Sequence, residues 1–416
     1  MTQKPIIVIG GGPAGLMAAG KAAESGFPVL LLEKMKKPGR KLAITGKGRC
    51  NLTNIADMDA FLFHFGKNGR FLRQSFQSFF NDDLMEFMQK RGLELVTERG
   101  GRVFPASGKA QEVVTLLVDW VRNCGVTIQT GTSVKKLLLE GDQVIGVRTH
   151  REDLACHSVI LATGGASYPA TGSTGDGYRF AELVGHEIVP IRPALVPLET
   201  KGDSALRMSG LNLRNVGVRL LINGKKKADG FGELVFADFG ITGPVTLQLS
   251  GMAVDALIQG DHVGISIDLK PALDEKKLDA RLIRDFTKRA REPVSSILRG
   301  LLPPQMVSVC LETTDIPTEK AGATISASER RRLKNWLKNF QLEITGHRPF
   351  SEAIITAGGI NTREIDPRSM ASRQIKGLFL AGEILDIQAH TGGYNLQAAF
   401  STGWLAGEAA AHYGKD

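Results

Sequence analysis

The stretch that decides the fold is Pro5-Ile6-Ile7-Val8-Ile9-Gly10-Gly11-Gly12-Pro13-Ala14-Gly15. Its apolar first half is typical of a buried β-strand, and an alanine-rich helical segment follows at residues 16–23. The glycines at positions 10, 12 and 15 have the spacing of a dinucleotide-binding turn. In such a turn the first glycine permits the bend, the second admits a pyrophosphate, and the third lets helix and strand pack closely. The stretch therefore predicts a strand–turn–helix unit whose helix N-terminus binds phosphate.

A second strand and an acidic residue follow at the expected distance. Residues 29–32 are apolar, and Glu33 comes directly after them. An acid about 20 residues beyond the glycines, at the end of the second strand, is where such folds hold a ribose hydroxyl. A glycine-rich helix–loop junction beside a surface glutamate is the alternative. The order of strand, glycines, helix, strand and acid favours nucleotide binding.

Length and composition indicate a globular protein with more than one domain. The chain has 416 residues, of which 42% are hydrophobic, so we expect two or three domains. No apolar run approaches the ~20 residues of a membrane span, and the first residues lack the pattern of a secretion signal. We therefore expect a cytoplasmic protein without membrane partners. The four cysteines are far apart and form no CxxC pair, so neither a metal site nor a disulfide framework is indicated.

Basic residues are concentrated in two regions of a chain whose net charge is +9. Residues 34–49 contain seven basic side chains and no acidic one, and residues 270–340 contain fifteen basic and nine acidic ones. Such clusters suit a polyanion-binding surface, whereas a solubilising face is the simpler alternative. Within the second region, the predicted RNA-binding residues are Arg330, Arg331, Arg332, Lys334 and Lys338.

Residues 34–54, KMKKPGRKLAITGKGRCNLTN, are too rich in glycine and basic side chains for a helix, so we predict a loop beside the bound nucleotide. Its asparagines and glycines offer donors to phosphate or to a ring edge. Cys50 lies among basic residues that would lower the pKa of its thiol and make it an acid or nucleophile. A small buried side chain is the alternative for Cys50.

Two further strand–glycine junctions indicate that the dinucleotide is FAD. The first is the apolar run at residues 159–162 followed by Thr163-Gly164-Gly165, and the second is the run at residues 378–381 followed by Gly382-Glu383. The segment Gly392–Gln397 then opens a last helix, predicted at Ala398–His412, whose N-terminus can stabilise negative charge on a reduced ring. The first turn and these two junctions, in this order, indicate FAD more strongly than any one of them does alone.

The predicted fold is α/β, a Rossmann-type FAD-binding domain split by an inserted β domain and a helical domain. The FAD domain comprises residues 1–190 and 355–416, the β domain residues 191–270 and 341–354, and the helical insert residues 271–340. The predicted FAD-binding residues are Gly10, Gly12, Pro13, Ala14, Gly15, Glu33, Lys34, Arg40, Lys41, Gly48, Arg49, Cys50, Asn51, Val134, Ala162, Thr163, Gly164, Gly382, Glu383, Gly393, Tyr394, Asn395 and Leu396.

The first turn, the KPGRK segment, the glycine-flanked GRCNLTN and the late GEILD and GGYNLQ segments resemble the YhiN-type flavoproteins, which include BaiN-like and RdsA-like reductases. The resemblance covers essentially the whole chain. It implies reduction of a conjugated C=C bond, in one branch of uridine to dihydrouridine in large-subunit ribosomal RNA, in another of unsaturated bile-acid-type ketones. The basic residues favour RNA over a small ketone.

The reductant and the proton donor are predicted less directly. The chain has a single dinucleotide turn, so NAD(P)H is expected to dock transiently, without a Rossmann domain of its own. The candidate catalytic residues for proton donation are Cys50, His390 and Tyr394. Each also has a structural interpretation: Cys50 as a packing residue, His390 as a loop residue and Tyr394 as a lid over the flavin ring. A flavin-binding RNA or ribosome factor without turnover is a further alternative.

Overall fold

The computed structural model describes residues 3–414, which form two compact units. One unit contains the described residues up to Pro193 together with those from Ile354 onward, and the other is Ala194–Ala353. Each unit has its own core of buried apolar side chains. The first unit is therefore assembled from both ends of the chain, and the second is one continuous insertion.

A five-stranded parallel sheet is the centre of the first unit. Its strands lie side by side in the order Leu378–Leu380, Ser158–Leu161, Ile6–Ile9, Val29–Glu33 and Thr127–Thr130, and the central strand, Ile6–Ile9, is buried along its whole length. The elements that precede the insertion are β1 (Ile6–Ile9), α1 (Pro13–Glu24), β2 (Val29–Glu33), α2 (Arg40–Ile44), β3 (Thr53–Asn54), α3 (Met58–His64), α4 (Gly69–Ser78), α5 (Asn81–Lys90), β4 (Leu95–Glu98), β5 (Arg102–Pro105), α6 (Ala110–Asn123), β6 (Thr127–Thr130), β7 (Val134–Glu140), β8 (Gln143–Thr149), β9 (Asp153–Ala155), β10 (Ser158–Leu161), α7 (Asp176–Leu183) and β11 (Ile188–Ala194).

The second unit is built on a closed six-stranded barrel, whose strands neighbour one another in the order Leu198–Thr200, Gly240–Thr242, Lys225–Ala237, Asn212–Ile222, Val263–Asp268 and Phe340–His347. Helices from the predicted helical insert share one apolar core with the barrel strands. Its elements are β12 (Leu198–Thr200), α8 (Ser204–Arg207), β13 (Asn212–Ile222), β14 (Lys225–Ala237), β15 (Gly240–Thr242), α9 (Pro244–Ile258), β16 (Val263–Asp268), α10 (Glu275–Lys288), α11 (Val294–Leu298), α12 (Pro304–Thr313), α13 (Ala327–Lys338) and β17 (Phe340–His347).

The last three elements return the chain to the first unit: β18 (Ile355–Ile360), β19 (Leu378–Leu380) and α14 (Tyr394–His412). Helix α14 packs against α1 through small residues. A Cβ at Gly403 would overlap the Ala14 carbonyl oxygen, and one at Gly407 would overlap that of Ala18. Only glycine therefore permits this close approach of the two helices.

The expected α/β class is confirmed, and β1 pairs in parallel with both β2 and β10. Two local expectations are wrong. Residues 34–54, expected to be a loop, contain the short helix α2. This helix begins directly after Gly39, whose backbone is in the left-handed conformation. The last helix starts at Tyr394, four residues before the expected Ala398, because Gly393 at φ +100° turns the chain into it. In the described part of the chain, no helix combines the length and apolar character needed to cross a bilayer.

Candidate FAD and active site

The first turn brings β1, α1 and β10 together through glycine. Gly10 has φ +105°, and a Cβ there would overlap the Ala162 carbonyl. A Cβ at Gly15 would overlap the carbonyl oxygen of Gly10. The predicted reasons for these two glycines, the bend and the close packing, therefore match the observed contacts.

Gly12 differs from its neighbours because no atom of the described residues lies within 4 Å of a Cβ placed there. It is the N-cap of α1, no side chain caps the helix, and Pro13 occupies the first turn. The N-terminus of α1 is therefore sterically accessible at Gly12, where a pyrophosphate is expected to bind. Ala14, in the same turn, is buried against this junction.

Glu33 holds the turn from the end of β2. Its carboxylate accepts hydrogen bonds from the Gly11 N–H at 2.8 Å and the Met35 N–H at 2.7 Å. Each carboxylate oxygen has a further lone pair with which it can accept a hydrogen bond from a ribose hydroxyl. The side chain is largely buried, so its carboxylate is already oriented before any ligand arrives.

A polar network joins four distant segments of the first unit. Lys41 Nζ lies 2.6 Å from Glu383 Oε2 and donates to Ser167 Oγ at 2.6 Å. The other Glu383 oxygen accepts from the Thr356 N–H at 2.8 Å and from Ser167 Oγ at 3.1 Å. Glu383, expected to meet the cofactor directly, therefore first ties the basic segment to β18 and to the loop after β10. Gly382, before it, has φ +81°.

Two further basic residues of the 34–49 segment contact the loop that leads to α7. Lys34 Nζ lies 2.7 Å from Asp176 Oδ2. Arg40 donates to the Ala170 carbonyl oxygen at 3.3 Å. These contacts hold the 34–49 segment against the loop that leads to α7. Both side chains keep N–H groups that can donate further hydrogen bonds.

The end of β10 carries the ATGG residues. Ala162 is buried, and Gly164 has φ +72°. The Thr163 hydroxyl is buried and has no hydrogen-bond partner in the described residues. Val134, predicted at the cofactor, is buried at the start of β7 opposite Thr149.

The asparagines of the GRCNLTN segment hold other backbone segments. With its amide oxygen turned towards α14, Asn51 accepts from the Gly393 N–H at 3.0 Å and donates to the Thr53 carbonyl at 3.1 Å. Asn54 donates to the Gly392 carbonyl at 3.1 Å. Gly393 itself lies so close to Thr53 that a Cβ would overlap its carbonyl. These side chains therefore position the start of α14.

Arg49 and Gly48 flank the segment on its exposed side. Arg49 pairs with Glu98, and its guanidinium lies 4.4 Å from the centroid of the Phe104 ring. Gly48 has φ +82°, and its carbonyl accepts from the Ala110 N–H at 2.7 Å. Both contacts fix the segment to the sheet β3-β5-β4 and to α6.

The predicted lowering of the Cys50 pKa is wrong. The residue is fully buried within the apolar core, at φ +60°. Burial raises the pKa of its thiol to about 12, because desolvation disfavours the thiolate more than the nearby basic residues favour it. Cys50 therefore lies in the packing environment that was the alternative interpretation.

We expect Cys50→Ala to retain the flavin and at least half of the wild-type reduction rate, because the buried thiol is almost wholly protonated at neutral pH. Thiol labelling of the folded wild type, with mass mapping, should modify Cys50 only on unfolding. Cys124→Ala, at a partly exposed thiol, is the matched control and should remove the fast-labelling site. Rapid labelling of native Cys50, or a rate loss above 100-fold in Cys50→Ala, would contradict this expectation.

The remaining candidates meet at the start of α14. Tyr394 is buried, with the ring of Phe61 edge-on at 4.8 Å between centroids. The His64 ring stacks on Tyr394 at 3.9 Å, and its Nδ1 is 3.4 Å from His390 Nδ1. Burial raises the pKa of Tyr394 and lowers that of His390. The structure thus brings His390 and Tyr394 together, and adds His64.

Asn395 and Leu396 complete the first turn of α14. The Asn395 amide accepts from the Ala389 N–H at 2.8 Å and donates to the Ala389 carbonyl at 2.9 Å. This residue holds the loop before the helix. Leu396 is half-buried and packs against the apolar core.

The predicted RNA-binding residues lie on α13 in the second unit. Arg331 is exposed, but the other four bind within the unit. Arg332 donates to the Thr314 carbonyl at 2.7 Å. The remaining three form ion pairs: Arg330 Nε with Asp279 Oδ1 at 3.0 Å, Lys334 Nζ with Glu275 Oε2 at 3.3 Å, and Lys338 Nζ with Asp268 Oδ2 at 2.6 Å.

Sequence reasoning missed Ser167, Thr356 and His64. Ser167 lies in a glycine-containing turn, and Thr356 lies in an apolar strand. A single polar residue in such a segment is a weak indication that its side chain forms hydrogen bonds with another segment. The Thr356 hydroxyl accepts from the Ala166 N–H at 2.8 Å. His64 shows no sequence signal because its partner lies 326 positions away. In the described residues, no group of His, Cys, Asp and Glu is arranged to hold a metal ion.

These features fit FAD. A Cβ at Gly12 would occupy the approach to the α1 N-terminus, and Glu33 lies at the adjacent end of β2. The pyrophosphate and the ribose of a dinucleotide require these two groups in this arrangement.

Comparison with known proteins supports the same conclusion. The chain is 33% identical over 406 residues to the 3-dehydro-bile acid delta(4,6)-reductase of Clostridium scindens, covering 97% of this chain and 98% of that protein. It is 28% identical over 409 residues to the ribosomal RNA dihydrouridine synthase of Escherichia coli, covering 98% of each. A 3-ketosteroid-delta4-(5alpha)-dehydrogenase from Rhodococcus jostii RHA1 shares the fold, with a TM-score of 0.55, 17% identity and coverage of 98% and 97%.

The HI0933-like protein Rossmann domain family matches residues 4–409. This match and the full-length relatives confirm the resemblance to YhiN-type flavoproteins. The chain belongs to the HI0933-like Rossmann family of FAD-dependent oxidoreductases.

Proposed function

We propose that this protein uses FAD and NAD(P)H to reduce a C=C bond conjugated to a carbonyl, with uridine in large-subunit ribosomal RNA as the substrate. Relatives named for dihydrouridine synthesis and for bile-acid reduction both align over nearly their whole lengths. The two reactions share the saturation of a ring C=C bond beside a carbonyl. That shared chemistry supports the reaction class, and charge supports the RNA substrate.

The chemistry that FAD supplies when bound is hydride transfer. In this proposal the α1 N-terminus binds the pyrophosphate and Glu33 the ribose. The Lys41–Glu383 pair fixes the segments around them. The N–H groups at the start of α14 would stabilise the negative charge that develops, and His390 and Tyr394, each of which contacts His64, are the candidates to deliver a proton.

The observation that carries the RNA substrate is the turn between β13 and β14. Lys225, Lys226 and Lys227 follow this two-residue turn and are all exposed. Lys226 lies 2.9 Å from Asp229, whereas Lys225 and Lys227 make no ion pair with any described residue. Phe231, further along β14, is 63% exposed. Exposed lysines and an exposed aromatic ring on the same strand suit phosphates and an unstacked base.

A small cyclic unsaturated ketone is the second candidate. The 33% identical relative named as a bile-acid reductase specifically favours it. The internal ion pairs of α13 also leave fewer free cations for RNA than the sequence predicts. Under this alternative the substrate would be a ring system of steroid size.

The deciding experiment maps dihydrouridine in ribosomal RNA from a strain that lacks this chain. One uridine should lose its modification, and the wild-type gene should restore it. In parallel, purified enzyme reduced anaerobically with NADH or NADPH should be reoxidised by the unmodified RNA. An unchanged RNA profile with reoxidation by a cyclic enone would move the assignment to the ketone. A yellow protein that no nicotinamide bleaches would instead support a binding factor without turnover.

We expect charge reversal of Lys225 and Lys227 to glutamate to weaken RNA binding about tenfold near physiological salt. The slope of log affinity against log salt should become shallower by about 1–2, because fewer phosphates are neutralised. Flavin reduction by NAD(P)H should stay unchanged.

The matched control reverses Lys276 and Lys277, exposed residues of α10 with the same change in net charge. Arg331→Glu tests the exposed position on α13 separately. Equal losses in all three variants would indicate a general charge effect, and no loss in the Lys225/Lys227 variant would exclude the turn as an RNA contact.

A further inference from the structure

Two histidines from distant parts of the chain meet beside Tyr394. His64 is the last residue of α3, and His390 lies in the loop before α14. Their Nδ1 atoms are 3.4 Å apart, and their rings are nearly perpendicular at 87°. Because His64 also stacks on Tyr394 with a 26° angle between the rings, its orientation is set by two contacts.

The pair is held from both sides. Asp57 caps α3 by accepting from the Ala60 N–H at 2.8 Å, which fixes the helix that ends in His64. Asn395 donates to the carbonyl oxygens of Ala389 and His390 at 2.9 and 3.3 Å, which fixes the backbone of the other ring. The geometry is therefore built from both segments.

A hydrogen bond between two Nδ1 atoms requires one proton and one lone pair. If His390 is protonated, its Nδ1–H donates to a neutral His64, and its Nε2–H is free for another acceptor. Burial lowers the pKa of His64, and the nearby His390 lowers it further, because a second proton on His64 would lie beside the charge of the first. Tyr394 is the other titratable group in ring contact, and its phenol stays neutral because burial raises its pKa.

We propose that His390 donates the proton that completes C=C reduction, and that His64 is the positioning residue that accepts the Nδ1–H of His390 and directs its Nε2–H outward. The inference rests on the proposed reductase function. The proton passes from the imidazolium of His390 to the substrate carbon adjacent to the one that receives hydride. NAD(P)H supplies the electron pair, and solvent restores the proton to His390.

This assignment gives the pH dependence a direction. Burial lowers the pKa of His390 below its usual 6.5, so the charged donor is populated only in acidic solution. The rate of the acceptor half-reaction should therefore fall as pH rises through that pKa. Removing the acceptor on His64 should lower the pKa of His390 further, because a hydrogen bond to the charged form is lost.

The test compares His64→Leu with His64→Asn, whose amide places a hydrogen-bonding group where the Nδ1 atom was. His64→Leu should keep its FAD content and its reduction by NAD(P)H, but slow the acceptor half-reaction about 10–100-fold. His64→Asn should recover most of the rate. Nitrogen NMR of the imidazoles should show a lower His390 pKa in the leucine variant only. His412→Gln, which alters a distant exposed histidine, is the control.

Three results would overturn the proposal: an unchanged His390 titration in His64→Leu, an unchanged acceptor rate, or an asparagine variant as slow as the leucine variant. If His64→Leu does not fold, the wild-type NMR spectrum decides, since the proposal requires a hydrogen-bonded Nδ1 on both rings. If wild type reduces neither RNA nor enone, the proposed function fails, and the NMR titration still reports on the pair.

Discussion

Replacement of Gly12 by valine is expected to lower FAD affinity at least 100-fold while leaving the apo protein folded. No atom of residues 3–414 lies within 4 Å of a Cβ at this position, and its φ of −80° is accessible to valine. The side chain would therefore clash only with a pyrophosphate at the α1 N-terminus. Flavin absorbance of the purified protein and titration of the apo protein with FAD measure the effect, and circular dichroism reports the fold.

Two other glycines provide the controls for Gly12. Gly251→Ala, within α9 and also in open space, should keep full FAD content and fold at least as well. Gly15→Ala should instead destabilise the protein itself, because its Cβ would overlap the Gly10 carbonyl. A Gly12→Val protein that purifies with stoichiometric FAD would refute the assignment of this turn.

Replacement of Glu383 by alanine is expected to destabilise the first unit by about 2–3 kcal/mol and to weaken FAD binding with it. The carboxylate holds Lys41, Ser167 and the Thr356 N–H at once, and both charged side chains are only about one-fifth exposed. Removing it leaves a largely buried ammonium group without its counter-charge, which costs more than the pair itself contributes. Urea unfolding of the apo and FAD-loaded forms measures both effects.

A double-mutant cycle with Lys41→Met separates the pair from its surroundings. The double variant should be less destabilised than the sum of the two single variants, because neither charge is then left alone. Lys21→Met, which breaks the more exposed contact with Glu408, is the control and should cost about 0.5 kcal/mol. Strict additivity at Lys41 and Glu383 would show that the network does not couple these segments.

Local patterns carry much of the fold. The apolar run and glycines of residues 5–15 predict β1 and α1, and Asn223-Gly224, a pair typical of two-residue hairpin turns, joins β13 to β14, because turn geometry depends on neighbours in sequence. The capping box at Ser326 and Glu329 is also present. Helix α2 escapes prediction because tertiary packing of Leu42 outweighs the weak helical preference of its glycine-flanked segment.

The site was harder to predict because its contacts are long-range. Composition around Cys50 indicates a lowered pKa, but burial sets the observed direction, and burial depends on segments far away in sequence. The charges of α13 are visible in the sequence, whereas the acids and carbonyls that bind them lie on other elements. Pairs such as Lys41–Glu383, separated by 342 positions, produce no local pattern.

The close contact between α1 and α14 also orders events during synthesis. Helix α1 and strand β1 leave the ribosome early, yet α14, which packs against α1, and β19, which extends the same sheet beyond β10, come more than 350 residues later. At about 5–20 residues per second, the N-terminal segment waits roughly 20–70 s for these partners. The continuous barrel unit can fold during that interval, whereas the nucleotide-binding unit is completed only as the last helix emerges. A nascent chain stalled before Tyr394 should therefore lack flavin, and emergence of α14 is the step that permits loading.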